Sequence, residues 1–359
     1  EFNFETMRME LTSSSALLFN PVAQVKFVHT VAAGYVTGAV FVLAISSWYL
    51  LKGRDLGFAR RSFAIASAFG MASILSVIIL GDESGYEIGD VQKTKLAAIE
   101  AEWHTEPAPA AFTLFGLPNQ AEQRTDYAVK IPYVMGIIAT RSLDTQVTGI
   151  KDLIKQHELR IRNGIKAYAL LEKLRSGEKT PENLAAFNQH KQDLGYGLLL
   201  KKYTPAVVDA SEAQIKQAAL DTIPNVATVF WSFRLMVASG FLMLALFACA
   251  FWASARKNEE KKRWLLKWAL YSLPLPWIAA QTGWLVAEHG RQPWSIAEVL
   301  PVHLSTSTIS AADVWGSLLA LLAFYSVLLV IEMYLMIKFA RLGPSSLHTG
   351  RYHFEQQPA

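Results

Sequence analysis

Ala23–Leu51, AQVKFVHTVAAGYVTGAVFVLAISSWYLL, is an almost unbroken run of apolar and small residues in which Lys26 and His29, both near its start, are the basic side chains. A hydrocarbon core ~30 Å thick takes about 20 helical residues to cross, so this stretch spans it with some tilt. Lipid offers no partners to an exposed backbone, so the stretch is read as a transmembrane helix. Lys26 is long enough to snorkel outward, whereas His29 is less able to escape.

Working outward, the loop KGRDLGFARR carries Lys52, Arg54, Arg60 and Arg61, which by the positive-inside rule face the cytoplasm. A second span, Ser62–Gly81, returns, and a third, Val226–Ala253, passes inward to a loop holding Arg256, Lys257, Lys261, Lys262 and Arg263. The fourth, Trp264–Glu288, contains Pro274 and Pro276, so a kink or local unwinding is expected there. The fifth, Ala311–Phe339, ends at Lys338 and Arg341, which puts all three short basic segments on one side.

The expected fold is therefore an all-α membrane protein of about five transmembrane helices with a large, mostly helical extracytoplasmic loop. Its parts are a lead-in (1–22), a helix pair (23–81), the loop (82–222), three further spans (223–341) and a cytoplasmic tail (342–359). A hydrophobic content of 52% and a mean hydropathy of +0.22 agree with a lipid-bilayer location. The net charge of +4 is dispersed beside apolar blocks, which excludes a nucleic-acid partner. Cys249 is the single cysteine, so neither an intrachain disulfide nor a cysteine-held metal centre is available. The start, EFNFETMRMELTSSS, has no initiator Met and no signal-type pattern, and is read as the middle of a longer chain.

Within 82–222, Ile150, Ile154, Ile161 and Ile165 share a helix face, Thr180-Pro181 forms an N-cap and N1 pair, and Ser211 with Gln214 forms a capping box. Ala111–Leu117 is strand-like, bounded by Pro107, Pro109 and Pro118.

Three side chains are out of place in hydrocarbon. His29 lies about six residues into the first span, Met236 about ten into the third, and Glu288 closes the fourth, all within roughly the outer ~15 Å at 1.5 Å per residue. In GWLVAEHGRQPW (Gly283–Trp294), Trp284, Glu288 and Arg291 recur at i, i+4 and i+7, one face of an α-helix. A buried ionisable group in a membrane marks function by default. Imidazole, thioether and carboxylate at one depth suit axial ligation of haem iron, and the small Ala33 and Gly240 one turn below leave room for a flat macrocycle. The same residues also suit a proton-coupled transporter, with His29 and Glu288 as relays, or a haem b anchor of a quinone-linked dehydrogenase. Lys93, Lys95, Glu100 and Glu102 on spacing alone form the solvated face of a short helix.

Four stretches carry a family resemblance: QVKFVHTVAAGYVTGA (Gln24–Ala39), GDESGYEIGDVQKTKLAAIEAEW (Gly81–Trp103), GWLVAEHGRQPW, and the tail KFARLGPSSLHTGRYHFEQ. Together they resemble subunit I of cytochrome bd-type ubiquinol oxidases over essentially the whole chain. The resemblance implies a respiratory enzyme of the bacterial inner membrane that oxidises ubiquinol, reduces dioxygen and generates proton-motive force without pumping. It implies His29 and Met236 as ligands of a low-spin haem b, Glu288 as ligand of a high-spin haem b, and Arg234 among the cofactor-binding residues. Trp284 is implied in electron transfer, Arg291 as a propionate or charge partner, and Lys95 and Glu100 as the quinol site in a periplasmic loop of the long-loop subtype. A haem d at the oxygen site, a subunit II and small accessory subunits complete the implied assembly. Family members begin with about four more spans, one carrying a further haem-ligating histidine, and oxygen chemistry is expected to need them. His289 and Val302-His303 depart from the expected neighbours without touching a ligand.

Overall fold

The computed structural model describes residues 2–3, 8–142 and 144–344, so the tail expected over 342–359 lies outside the described residues from 345 onward. Among the described residues, four helical stretches are long and apolar enough to cross a membrane. They contain α1 (Pro21–Lys52), α2 (Leu56–Val91), α8 (Val226–Ala255) and α11 (Ala311–Leu342). The fourth expected span is broken into α9 (Arg263–Tyr271) and α10 (Leu275–Trp284), followed by a π-helical turn, Leu285–His289. The break falls at Ser272–Pro274, where proline removes a backbone donor and blocks the preceding carbonyl. The second span also differs from expectation: α2 continues ten residues past Gly81, as far as Val91.

The chain forms two compact units. One comprises Ala32–Ser76, Ser239–Trp277 and Ser307–Ala359. In it Ala32, Val36, Ala39, Val40, Leu43, Ala44 and Ser47 of α1 are buried at three- and four-residue spacings, one stripe of the helix, while the opposite face stays apolar and exposed. Arg54 donates to the carbonyls of Arg341 (2.8 Å) and Leu342 (3.2 Å), satisfying acceptors that the end of α11 leaves open. Arg60 and Glu260 join the two basic loops through a bidentate pair at 2.6 and 2.7 Å.

The other unit comprises Glu1–Val31, Val77–Ala238 and Ile278–Thr306. Its polar segment holds α3 (Lys93–Glu100), β1 (Phe112–Asn119), β2 (Arg124–Ile131), α4 (Ile150–Arg175), α5 (Pro181–His190), α6 (Leu194–Leu198) and α7 (Glu212–Asp221). The strand expected over Ala111–Leu117 runs Phe112–Asn119 and pairs antiparallel with β2, with Thr113 opposite Lys130. Ile150 and Ile161 of the expected isoleucine face are fully buried, with Ile154 and Ile165 packed beside them. Thr180 caps α5, and the Ser211–Gln214 box caps α7. One core joins Ala97, Ala98, Ile99 and Trp103 to Ile150, Leu153, Val226, Val229, Phe230 and Val286, so α3 is held between α4, the N-terminal end of α8 and the π-turn.

Candidate functional site

The site is organised by α3, whose sequence KTKLAAIE gives no hint of its burial. Lys95 and Glu100 are each only 2% exposed and Glu102 8%, so the solvated-face reading of these residues does not hold. Five residues along a helix turn the side chain through about 140°, so Lys95 and Glu100 serve different neighbours. No ion pair joins them among the described residues.

Lys95 Nζ donates to the Ala287 carbonyl at 3.0 Å, inside the π-turn. Its methylenes lie on Gly290, where a Cβ would stand 3.2 Å from Lys95 Cγ and 2.4 Å from the Val286 carbonyl, so only glycine allows this approach. Burial, then the charges of Lys26 and Arg291, lower the Lys95 pKa to about 8 against the opposing pull of Glu288.

At the other end of α3, Glu100 Oε2 accepts from the Thr113 amide at 3.1 Å and lies 3.5 Å from Arg234 Nη2. Burial raises the Glu100 carboxyl to about 7, opposed by Arg234 and the Thr113 amide. Arg234 comes from α8, two residues before Met236. It donates to the carbonyls of Ile99 (2.7 Å), Phe230 (3.0 Å), Leu114 (3.1 Å) and Thr113, and stacks 3.3 Å above the Phe230 ring. Four of the five guanidinium hydrogens are thus engaged by carbonyls, and the second Nη2 hydrogen lies on the side of the Glu100 ion pair. Arg234, expected among the cofactor-binding residues, here also clamps the Glu100 end of α3 to the helix that carries Met236.

The π-turn changes the expected i, i+4, i+7 face. Gly290 N bonds Leu285 O at 3.3 Å, a five-residue closure that widens the helix and takes Trp284, Glu288 and Arg291 off α-helical spacing. Glu288 and Arg291 pair directly, both side chains roughly a third exposed, and Arg291 Nη1 also reaches the Ser295 carbonyl at 3.1 Å. Trp284 is 60% exposed.

His29 and Met236 are both partly buried, and each faces a glycine. A Cβ on Gly81 would stand 3.4 Å from His29 Cε1, and one on Gly283 would stand 3.0 Å from Met236 Sδ. The expected small neighbour Gly240 instead has open space at its Cβ position. His29 Nδ1 is buried without a hydrogen-bond partner, as are His289 Nε2 and Arg291 Nε next to Glu288. Buried polar atoms are almost always paired, so these orphans mark places where a further group belongs. An imidazole and a thioether against glycines, and a carboxylate flanked by unsatisfied N–H groups, fit the donor set of haem iron and its propionates. Sequence reasoning missed Thr113, Lys130 and the two facing glycines. Gly81 opens the GDE motif and Gly283 the GWLVAEH motif, which was the available signal.

Residues 1–344 match the family model for cytochrome bd terminal oxidase subunit I. The chain is 48% identical over 348 residues to cytochrome bd-II ubiquinol oxidase subunit 1 of Escherichia coli strain K12, covering 97% of this chain and 68% of that protein. It is 26% identical over 343 residues to cytochrome bd ubiquinol oxidase subunit 1 of Bacillus subtilis strain 168, covering 95% and 61%. The fold is similar to that of bd oxidase from Geobacillus thermodenitrificans, with a TM-score of 0.67 at 24% identity over 96% of this chain and 63% of that one. The chain thus spans about two thirds of the length of these relatives. On the family match and the E. coli relative, this chain belongs to the family of cytochrome bd terminal oxidase subunit I, haem-bearing membrane proteins of respiration.

Proposed function

We propose that this chain oxidises quinol at α3 as part of a membrane-bound terminal oxidase, with electrons passing to haem and on to dioxygen. The relatives named as ubiquinol oxidase subunits support this reading over a transporter or a dehydrogenase anchor, and favour ubiquinol as the quinol used. The observation that carries it is the burial of Lys95 and Glu100 at the two ends of one short helix, Lys95 against the Glu288 turn and Glu100 against the Met236 helix. His29 and Met236 would hold a low-spin haem b, and Glu288 a high-spin haem b with Arg291 as charge partner and Trp284 nearby. Bound haem supplies one-electron acceptors and, as haem d at the oxygen site, a place for dioxygen.

The chain's own residues do the proton chemistry. The Lys95 ammonium, fixed by the Ala287 carbonyl, has further N–H groups to orient a quinol oxygen. Glu100, with its pKa near 7, is balanced between acid and base at neutral pH, as a general base should be. Releasing those protons from a periplasmic loop while protons for water come from the cytoplasm makes the reaction electrogenic. Subunit II and accessory subunits would complete the enzyme in the bacterial inner membrane, with the C-terminus cytoplasmic.

The test uses the complete oxidase. Lys95→Ala and Glu100→Ala are expected to lose quinol oxidation by about 10²-fold or more while keeping the haem spectrum. His29→Ala or Met236→Leu should remove the reduced low-spin haem band. Normal quinol kinetics in both α3 variants would overturn the quinol site, and an unaltered spectrum in the ligand variants would overturn the haem assignment.

A further inference from the structure

We propose that Glu102 and Glu106, bridged by Lys130, form the route by which protons taken from quinol at Glu100 reach water. This rests on the reading of Glu100 as the quinol base and adds the next two carriers.

Three observations carry it. First, side-chain exposure rises stepwise along the carboxylates, from 2% at Glu100 to 10% at Glu102 and 32% at Glu106, so the chain of acids runs from the core to the surface. Second, Lys130 Nζ bonds Glu102 Oε2 at 3.1 Å and also Glu106, so one ammonium holds both outer carboxylates together. Third, the hairpin register places Lys130 directly opposite Thr113, whose amide binds Glu100. Glu100 and Lys130 are thereby both anchored on the hairpin, Glu100 at the edge of β1 turned away from β2, since the Thr113 amide that binds it points outward from the ladder. Ala101, in the left-handed region at φ 50°, ends α3 between Glu100 and Glu102 and turns the chain toward that hairpin. A bridge from Glu106 to Val147 fixes the far end.

The charged groups facing this path are Arg234, Glu102 and Lys130 around Glu100, and Lys130, Glu106 and Glu100 around Glu102. Burial raises both carboxyls, Glu100 to about 7 and Glu102 in the same direction against the pull of the Lys130 ammonium. Glu100 accepts a quinol hydroxyl proton as the electron leaves for ferric haem. The Glu100 O–H bond then breaks as one forms on Glu102, directly or through one water, and Glu102 releases the proton to Glu106 or to solvent. Lys130 stays an ammonium throughout and offsets the negative charge left behind. Without this exit, a second quinol would meet a Glu100 still protonated.

The experiment uses the complete oxidase with a short-chain ubiquinol. In Glu102→Gln, kcat should fall about tenfold with KM and haem spectrum unchanged, and Glu106→Gln should cost about twofold because solvent bypasses an exposed carrier. The solvent deuterium isotope effect on kcat should rise in Glu102→Gln, and small protonatable buffers such as imidazole should restore its rate, effects that loss of a merely structural ion pair would not produce. Unchanged kcat, a loss confined to KM, or a loss that buffer fails to rescue overturns the route. If Glu102→Gln does not assemble with its haems, Lys130→Met decides. Removing the ammonium should move the acid limb of the kcat profile to higher pH, and an unmoved limb overturns the proposal. Normal quinol oxidation in Glu100→Gln would defeat the quinol site itself, whereas a dead Glu100→Gln beside a normal Glu102→Gln would defeat only the exit.

Discussion

Helix α3 and helix α11 invert each other. The eight residues of α3 include two lysines, a threonine and a glutamate, yet six of the eight are buried, Lys95 and Glu100 among them. The 32 residues of α11 are overwhelmingly apolar, and none is buried. In water that distribution would be unstable, since apolar surface is driven inward and charge outward. It becomes ordinary once the solvent of α11 is lipid and the interior around α3 is a polar site with fixed partners. Burial in this molecule therefore reports function, and apolar exposure reports the bilayer.

The largest test of the contrast is Arg234→Met. It keeps the bulk of the side chain but leaves Glu100 without its charge partner and removes the guanidinium bonds to four carbonyls, and breaking a buried pair on one side costs about 3–5 kcal/mol. Thermal loss of the haem absorption band in the complete oxidase should shift to markedly lower temperature, and Arg234→Lys should not restore it, because an ammonium cannot satisfy the forked set of carbonyls. Wild-type thermal stability in Arg234→Met would show that α3 is held by its apolar core alone.

Next comes the other side of the comparison. Val327, near the middle of α11, is 59% exposed, so on an aqueous helix Val327→Lys would be almost silent. In lipid a lysine at mid-span costs about 2.5–3.5 kcal/mol. Reduced membrane insertion of this helix, measured by glycosylation mapping, is the expected outcome, with Val327→Leu as the neutral control. Equal insertion of all three would mean that α11 does not face lipid.

The smallest effect is a pH limb. Glu100 must be ionised to accept a proton, and its pKa near 7 means that the competent fraction falls as pH drops below that value, approaching about tenfold per unit. The kcat/KM profile for quinol should therefore show an acid limb with a midpoint near 7. A midpoint near the ordinary carboxylate value would place Glu100 in a wetter setting than its burial indicates.

Much of this could be read from residue order. Hydropathy marks four continuous spans, the prolines at 274 and 276 mark the break in the fourth of the five expected, and the caps of α5 and α7 follow from Thr180-Pro181 and Ser211–Gln214. The α-helical face of Trp284, Glu288 and Arg291 was misread, because a π-turn is set by packing around Lys95 and Gly290 and leaves no periodic signature. The eight residues Lys93–Glu100 look solvated by pattern, and only the family resemblance marked two of them. Their partners are Ala287 in the π-turn for Lys95, and for Glu100 Thr113 from a hairpin and Arg234 more than 130 residues away, none of which a local window contains.

Residue order by itself determined that this chain lives in a bilayer, which segments span it, and where one span breaks and two loop helices are capped, because hydrophobic length, proline and capping act within a few residues. Only the tertiary structure decided that Lys95 and Glu100 are withdrawn from water and turned to different neighbours, Lys95 to the Ala287 carbonyl and Glu100 to the Thr113 amide and Arg234. A side chain's solvation, and with it its proton affinity, is set by whatever the rest of the fold brings against it.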